Sequence, residues 1–284
     1  MARNSKSRLG NDTESKTPDA ADPIAALGES GGLTFTTPTE FVELPSEGKY
    51  YPEGHPLHMQ DAVEIKFMTA KEEDILTSKT LIKQGVALER LLKSVIVDKS
   101  IDPSRMLTGD RNALLIAARK TGYGPEYNAK INCPACNATN EVVYNLEDAE
   151  IVRPQDSEDV TWNVDGNMII ELPFSKIQVE AKLLTGREEI YLSRSQESKR
   201  KKRLLETAIQ DVLKTMIVSV NGDSTQEMLK MFIERAPARD IKYLREVYRD
   251  NTPNVEMNHD FECEHCNYGT ALEVPFTVEF FWPK

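Results

Sequence analysis

The chain has 284 residues, 39% hydrophobic and 29% charged, enough apolar matter to close a core under a heavily solvated surface. Its 46 acidic side chains against 35 basic ones give a formal net charge of −11, which repels a phosphate backbone and disfavours a general nucleic-acid binder. No apolar run approaches the ~20 residues of a bilayer-spanning helix, and Met1 to Gly10 lacks the apolar stretch of a secretory signal, so the expectation is a cytosolic chain with reduced thiols and no membrane contact.

Residues 1–34 mix Ser, Thr, Asp, Asn, Gly and Ala without an apolar stripe, and are expected to form a disordered tail. Order is expected from about Leu33, with a short strand over Glu40–Pro45 and turns at Ser46–Gly48 and Tyr50–Gly54. The alternation of Val63–Met68 predicts a half-buried strand, and Thr69 three residues before Glu72 is a capping box that starts a helix over about 70–80. Apolar spacing predicts further helices over 86–97 and 110–120, the second ended by Gly122-Tyr123-Gly124-Pro125. Extended chain over 127–132, a tight Cys133-Pro134-Ala135-Cys136 loop and a return strand at 141–144 complete the unit.

The same order then recurs. A strand is expected over 177–184, and Thr185-Gly186-Arg187-Glu188 reproduces the capping box of Thr69-Ala70-Lys71-Glu72. A long helical stretch leads to Met216-Ile217-Val218, echoing Val95-Ile96-Val97. A helix over 240–248, extended chain over 255–261, the loop Cys263-Glu264-His265-Cys266 and a strand over 271–276 follow. The reading is an α+β chain of two related lobes, 35–155 and 156–284, arising by duplication and preceded by the tail.

The four cysteines fall as two Cys-x-x-Cys pairs, and four convergent thiolates satisfy tetrahedral Zn²⁺. Cys133, Cys136, Cys263 and Cys266 are therefore expected to form one structural, zinc-ribbon-like site shared by the lobes. Asn137 and Asn267 after each second cysteine suit the left-handed turn of a knuckle. Metal-free loops and a redox dithiol are the competing readings. The dithiol is disfavoured because strands, not helix N-termini that would lower a thiol pKa, follow both pairs.

His265 lies inside the second knuckle, but exposure is the expected fate of such a loop residue; His55 and His58 flank a proline-rich turn and are expected at the surface. No Ser, Cys or Asp nucleophile pairs with a histidine in any motif, and no phosphate-binding loop is present, so an enzyme is not expected. Lys199-Arg200-Lys201-Lys202-Arg203 is read as a solvated helix face paired with Glu188, Glu189, Glu197 and Glu206, with an acidic partner or nucleic acid as alternatives. Phe280-Phe281-Trp282-Pro283 is expected to fold back on the second lobe or to plug a neighbouring subunit.

Three strings carry a resemblance: Glu43-Leu44-Pro45-Ser46-Glu47-Gly48-Lys49-Tyr50-Tyr51-Pro52, then Ile65-Lys66-Phe67-Met68-Thr69-Ala70-Lys71-Glu72-Glu73-Asp74-Ile75-Leu76, and Gly109-Asp110-Arg111-Asn112-Ala113-Leu114-Leu115 through to Cys136. Over about residues 38–280 the chain resembles the T4-type bacteriophage baseplate protein family. The resemblance implies a structural or assembly role at the tail baseplate hub and no catalytic residues. It implies partners among hub and tail proteins, the tape-measure protein included, and a place in the virion tail after assembly in the host cytoplasm. A transient assembly chaperone and a zinc-ribbon nucleic-acid module are the alternatives.

Overall fold

The computed structural model describes residues 37–154, 159–202, 207–273 and 278–281; the expected tail lies outside them. The first strand, β1 (Thr39–Glu43), pairs antiparallel with β2 (Ala62–Lys66), and Ile96 bridges Ile65 on the far edge of β2. The helix expected over 70–80 is two helices, α1 (Ala70–Thr77) and α2 (Lys79–Gln84). Ser78, with ψ 105°, breaks the helical path, and Gly85, at φ 66°, ends α2 in the left-handed conformation that glycine adopts freely. Then come α3 (Ala87–Val95), the 16-residue α4 (Thr108–Tyr123) and the hairpin β3 (Glu126–Asn132) with β4 (Thr139–Asn145), followed by the short β5 (Glu150–Val152).

The remaining chain opens with β6 (Val160–Trp162), β7 (Met168–Glu171) and β8 (Gln178–Ala181). The helical stretch expected to reach Val218 divides into α5 (Gly186–Lys201) and α6 (Ala208–Met216), and Ile217 onward is strand β9 (Ile217–Val220), as its β-branched residues favour. Strands β6 to β9 form one antiparallel sheet in chain order. Helices α7 (Gln226–Arg235) and α8 (Ala238–Asp250) precede β10 (Asn254–Glu256), which pairs with β5, and the hairpin β11 (Asn258–Glu262) with β12 (Gly269–Glu273).

Corresponding segments hold corresponding places. Ala87-Leu88-Glu89-Arg90-Leu91-Leu92-Lys93-Ser94-Val95-Ile96-Val97 and Ala208-Ile209-Gln210-Asp211-Val212-Leu213-Lys214-Thr215-Met216-Ile217-Val218 each form a helix that runs into an extended segment beside a capping-box strand. Both capping boxes form: Thr69 Oγ1 lies 2.6 Å from Glu72 Oε2 and Thr185 Oγ1 2.6 Å from Glu188 Oε2. A lysine three residues before each threonine, Lys66 and Lys182, completes an ion pair with the same glutamate.

A second correspondence escaped the sequence reading. Glu43-Leu44-Pro45 and Glu171-Leu172-Pro173 each end a strand, and each following loop is held by a fully buried aspartate at the third position of a distant helix. Asp110 of α4 accepts from Ser46 N (3.0 Å), Ser46 Oγ (2.6 Å) and Tyr51 Oη (2.7 Å); burial outweighs these donors and raises its pKa. Asp240 of α8 accepts from the backbone N–H groups of Phe174 (3.1 Å) and Ser175 (3.0 Å); there burial is outweighed and the pKa falls.

The two halves share one core. Leu114 of α4, Met168, Val179 and Leu244 belong to a single buried cluster, and residues Thr39–Lys284 form one compact unit. The boundary expected at 155/156 lies outside the described residues. The start of α4 meets the start of α5: Thr108 N–H donates to Leu184 O (3.0 Å), Gly186 N–H to Met106 O (3.0 Å), and Arg111 pairs with Glu189 at 2.7 Å. Gly109 is required by a close approach, since a Cβ there would stand 2.0 Å from the Pro253 carbonyl oxygen. Phe280 and Phe281 are fully buried, and Phe280 reaches the first half: it stacks edge-on to Tyr127 of β3 at 4.9 Å, and its carbonyl accepts from Arg119 Nε of α4 at 2.9 Å. Trp282 and Pro283 lie outside the described residues.

Glu72 supplies a pH test. Burial opposes its charge, but donors from Ser94, Thr69 and Lys66 outweigh burial and bring its pKa from 4.5 to about 2. A depressed carboxylate stabilises the fold fully above its ordinary pKa and loses that contribution as pH falls through the folded value. Thermal unfolding followed from about pH 5 down to about pH 2 should show a falling midpoint, and Glu72→Gln should start lower and flatten the slope.

Candidate metal centre

Each knuckle is built by its own hairpin. In the β3–β4 turn, Cys133 N–H donates to Ala138 O (2.8 Å) and Asn137 N–H to Cys133 O (2.8 Å). In the β11–β12 turn, Cys263 N–H donates to Tyr268 O (3.0 Å) and Asn267 N–H to Cys263 O (2.9 Å). The left-handed turn expected at the two asparagines is present, with φ 59° at Asn137 and 56° at Asn267. Cys133 and Cys263 are buried, packed with Ile131 and Phe261 in a small apolar cluster backed by Val142, while Cys136 and Cys266 face solvent.

The four expected residues come together across the halves. All four Sγ atoms lie within 4.8 Å of one another, with Cys133 to Cys266 and Cys136 to Cys263 at 3.7 Å. A tetrahedral metal with sulfur at about 2.3 Å has an S···S edge of about 3.8 Å, so the separation fits a shared ion, whereas a disulfide needs about 2 Å. Polar hydrogens point at two of the sulfurs. Ala135 N–H points to Cys133 Sγ at 3.4 Å, and Asn140 Nδ2 to Cys263 Sγ at 3.6 Å. Burial opposes ionisation of Cys263, but the N–H groups of His265 and Cys266 and the thiols of Cys133 and Cys136 outweigh it and draw the thiol down to about 6. Cys266 accepts an N–H from Tyr268 that favours its thiolate, yet desolvation and the other three sulfurs push it up to about 12. A cation binding here must therefore displace protons, so its affinity rises with pH.

Asn140 of β4 is the residue of the candidate site that sequence reading missed. It is 3% exposed and spans the halves: its Nδ2 reaches Ala138 O (3.0 Å) and the Cys263 sulfur, and its Oδ1 accepts from Glu264 N–H (3.0 Å). The matching position in the second hairpin is Thr270, so repeat comparison could not have flagged it. His265 is exposed, as expected, and stands outside the sulfur cluster. His55 and His58, expected at the surface, are half-buried; His55 stacks on Tyr51 at 4.5 Å and His58 Nδ1 lies 2.7 Å from Tyr51 O.

Among the described residues, two of the basic run are ion-paired, one with an expected acid and one with another. Lys199 lies 2.5 Å from Asp211 Oδ2 and 2.6 Å from Thr207 Oγ1, and Lys201 pairs with Glu197 at 2.6 Å. Glu188 and Glu189 are engaged by Lys182 and Arg111, and Arg203 and Glu206 lie outside the described residues.

Asn140→Leu should keep the apolar cluster but remove the donor to Cys263 and the acceptor for Glu264. Co²⁺ titration, read by thiolate-to-metal charge-transfer absorption, is expected to show affinity reduced by about 10- to 100-fold.

Comparison with known proteins places this geometry in context. Neither the curated proteins nor the solved structures return a match to the chain. No helix among the described residues is long and apolar enough to cross a membrane. Residues 37–282 match the family model described as T4 bacteriophage base plate protein, which takes in both hairpins and the four cysteines. The chain belongs to the T4 bacteriophage base plate protein family.

Proposed function

We propose that the chain is a non-enzymatic component of the phage baseplate hub, in which Cys133, Cys136, Cys263 and Cys266 hold one structural Zn²⁺. Family membership over residues 37–282 carries the baseplate part of this reading. The convergence of four sulfurs from opposite halves supports the metal. Four sulfur ligands complete the shell and leave no open position for water, which favours a structural over a catalytic ion. Such an ion would lock two hairpins that otherwise meet over a small apolar patch, and a surface fixed in advance loses less ordering entropy when it docks. The partners on this reading are other hub and tail proteins, the tape-measure protein included, met first in the host cytoplasm and then retained in the virion tail. The non-enzymatic part rests on the sequence, which pairs no nucleophile with a base.

Elemental analysis of chain purified without chelator should return about one zinc per chain, and Cys133→Ser or Cys263→Ser should abolish retention and lower the melting temperature. A metal-free preparation that melts at the same temperature would remove the zinc. Quantitative mass spectrometry of purified virions tests the hub role: stoichiometric copies support a structural component, whereas absence from the virion would make the chain a transient assembly chaperone.

A further inference from the structure

Among the described residues, strand β1 leaves a sheet edge open. Leu44 N–H bonds to Asp61 O at 2.7 Å, so the antiparallel register makes Glu40 and Val42 the residues whose backbone groups point at β2. The N–H and C=O groups of Thr39, Phe41 and Glu43 point the other way, and no backbone partner meets them among the described residues. Folded proteins normally blunt such an edge or cover it. Here Phe41, in the middle of the edge, is 74% exposed.

Alongside this edge runs a groove of about 360 Å³. Its floor is apolar, made by Ala113, Ile116 and Ala117 of α4 with Leu146, Ile151 and Val255. Residues of both parities on β1, Glu40 to Glu43, line it, as expected of a channel that follows a strand edge and not one sheet face. Of its ionisable lining residues three are acidic, Glu40, Glu43 and Glu147, against the one cation Lys120, and Glu43 is already paired with Arg153. Glu40 Oε1 is buried with no hydrogen-bond partner among the described residues, an arrangement that costs free energy until a donor arrives.

We propose that β1 is a docking edge for an extended, basic segment of another protein, which adds as a strand beside Thr39–Glu43 and lays alternate apolar side chains on the α4 floor. Backbone bonding supplies affinity in this mode, and alternate side chains supply choice of partner. Charge selects the occupant. A Lys or Arg of the incoming strand meets the buried Glu40 carboxylate, whereas a second copy of this chain would bring the same carboxylates of both copies into one channel. The proposal stands apart from the hub assignment and from the metal.

The full chain can be titrated with a fluorescein-labelled ten-residue peptide alternating Lys and Val, and with its Glu–Val counterpart, while amide hydrogen exchange is followed. Saturable binding of the Lys peptide is expected, at least about tenfold tighter than the Glu peptide, with exchange slowing at the Phe41 and Glu43 amides. Phe41→Pro should abolish binding without changing the melting temperature, because that N–H takes no part in pairing with β2. Glu40→Lys with Glu43→Lys should reverse the preference between peptides, and decides the matter if the proline variant does not fold. Equal binding of both peptides, slowed exchange only elsewhere, or Phe41 and Glu43 amides already protected in the free chain would overturn the proposal. So would a dimer in sedimentation that Phe41→Pro dissolves, since the occupant would then be a second copy.

Discussion

Two carboxylates removed from water organise this chain. Asp110 and Asp240 each sit in the first turn of a helix, where the helix dipole favours negative charge, and each gathers the donors of a loop 59 to 66 residues earlier in the chain. Each therefore fixes a strand end against the helix that leads into a cysteine hairpin. A buried donor left without its acceptor costs about 1–3 kcal/mol, and Asp110 holds three. The position of β3 and β4 relative to β1 and β2 is in that sense set at Asp110, and the second half repeats the device with two backbone donors in place of Ser46 and Tyr51.

The sulfur cluster depends on that placement. Neither hairpin could present four donors alone, and the apolar contact between them comes down to Ile131, Phe261, Val142 and the buried cysteines themselves. The halves are joined more firmly elsewhere, through the meeting of α4 with α5 and the pairing of β5 with β10. The cysteine end is thus the thinly packed end of a well-packed unit. A polar side chain, Asn140, bridges it, which is economical because one amide can serve a sulfur, a carbonyl and an N–H together.

What was legible in the sequence was whatever is written locally. The capping boxes at Thr69 and Thr185, the knuckle asparagines and the Cys-x-x-Cys pairs depend on residues within a few positions of one another, and each appears where its spacing put it. The convergence of the cysteines was legible as chemistry, since four sulfurs in two pairs have few other structural uses. Tertiary pinning was not legible: nothing near Ser46 or Phe174 names Asp110 or Asp240 as its partner. The strands β6 and β7 were passed over because Val160–Trp162 and Met168–Glu171 are too short to show a period, and α7 because its few turns of mixed Met, Phe and Lys resemble surface chain. The hold of Arg119 on Phe280, 161 positions away, was not legible either, because no local pattern links the two.

Arg119 itself has a consequence for conditions outside the cell. Its guanidinium, 2% exposed, gathers the carbonyl oxygens of Phe280, Gly124 and Glu126 and lies over the ring of Tyr123. Burial lowers its pKa, but a guanidinium remains protonated throughout any range a protein survives, and amide oxygens do not titrate. Unlike the carboxylate at Glu72, this latch hydrogen-bonds, among the described residues, to carbonyl oxygens alone. The bonds that Arg119 makes between α4 and Phe280 are indifferent to acidity, so in acid they would persist while the capping boxes weaken.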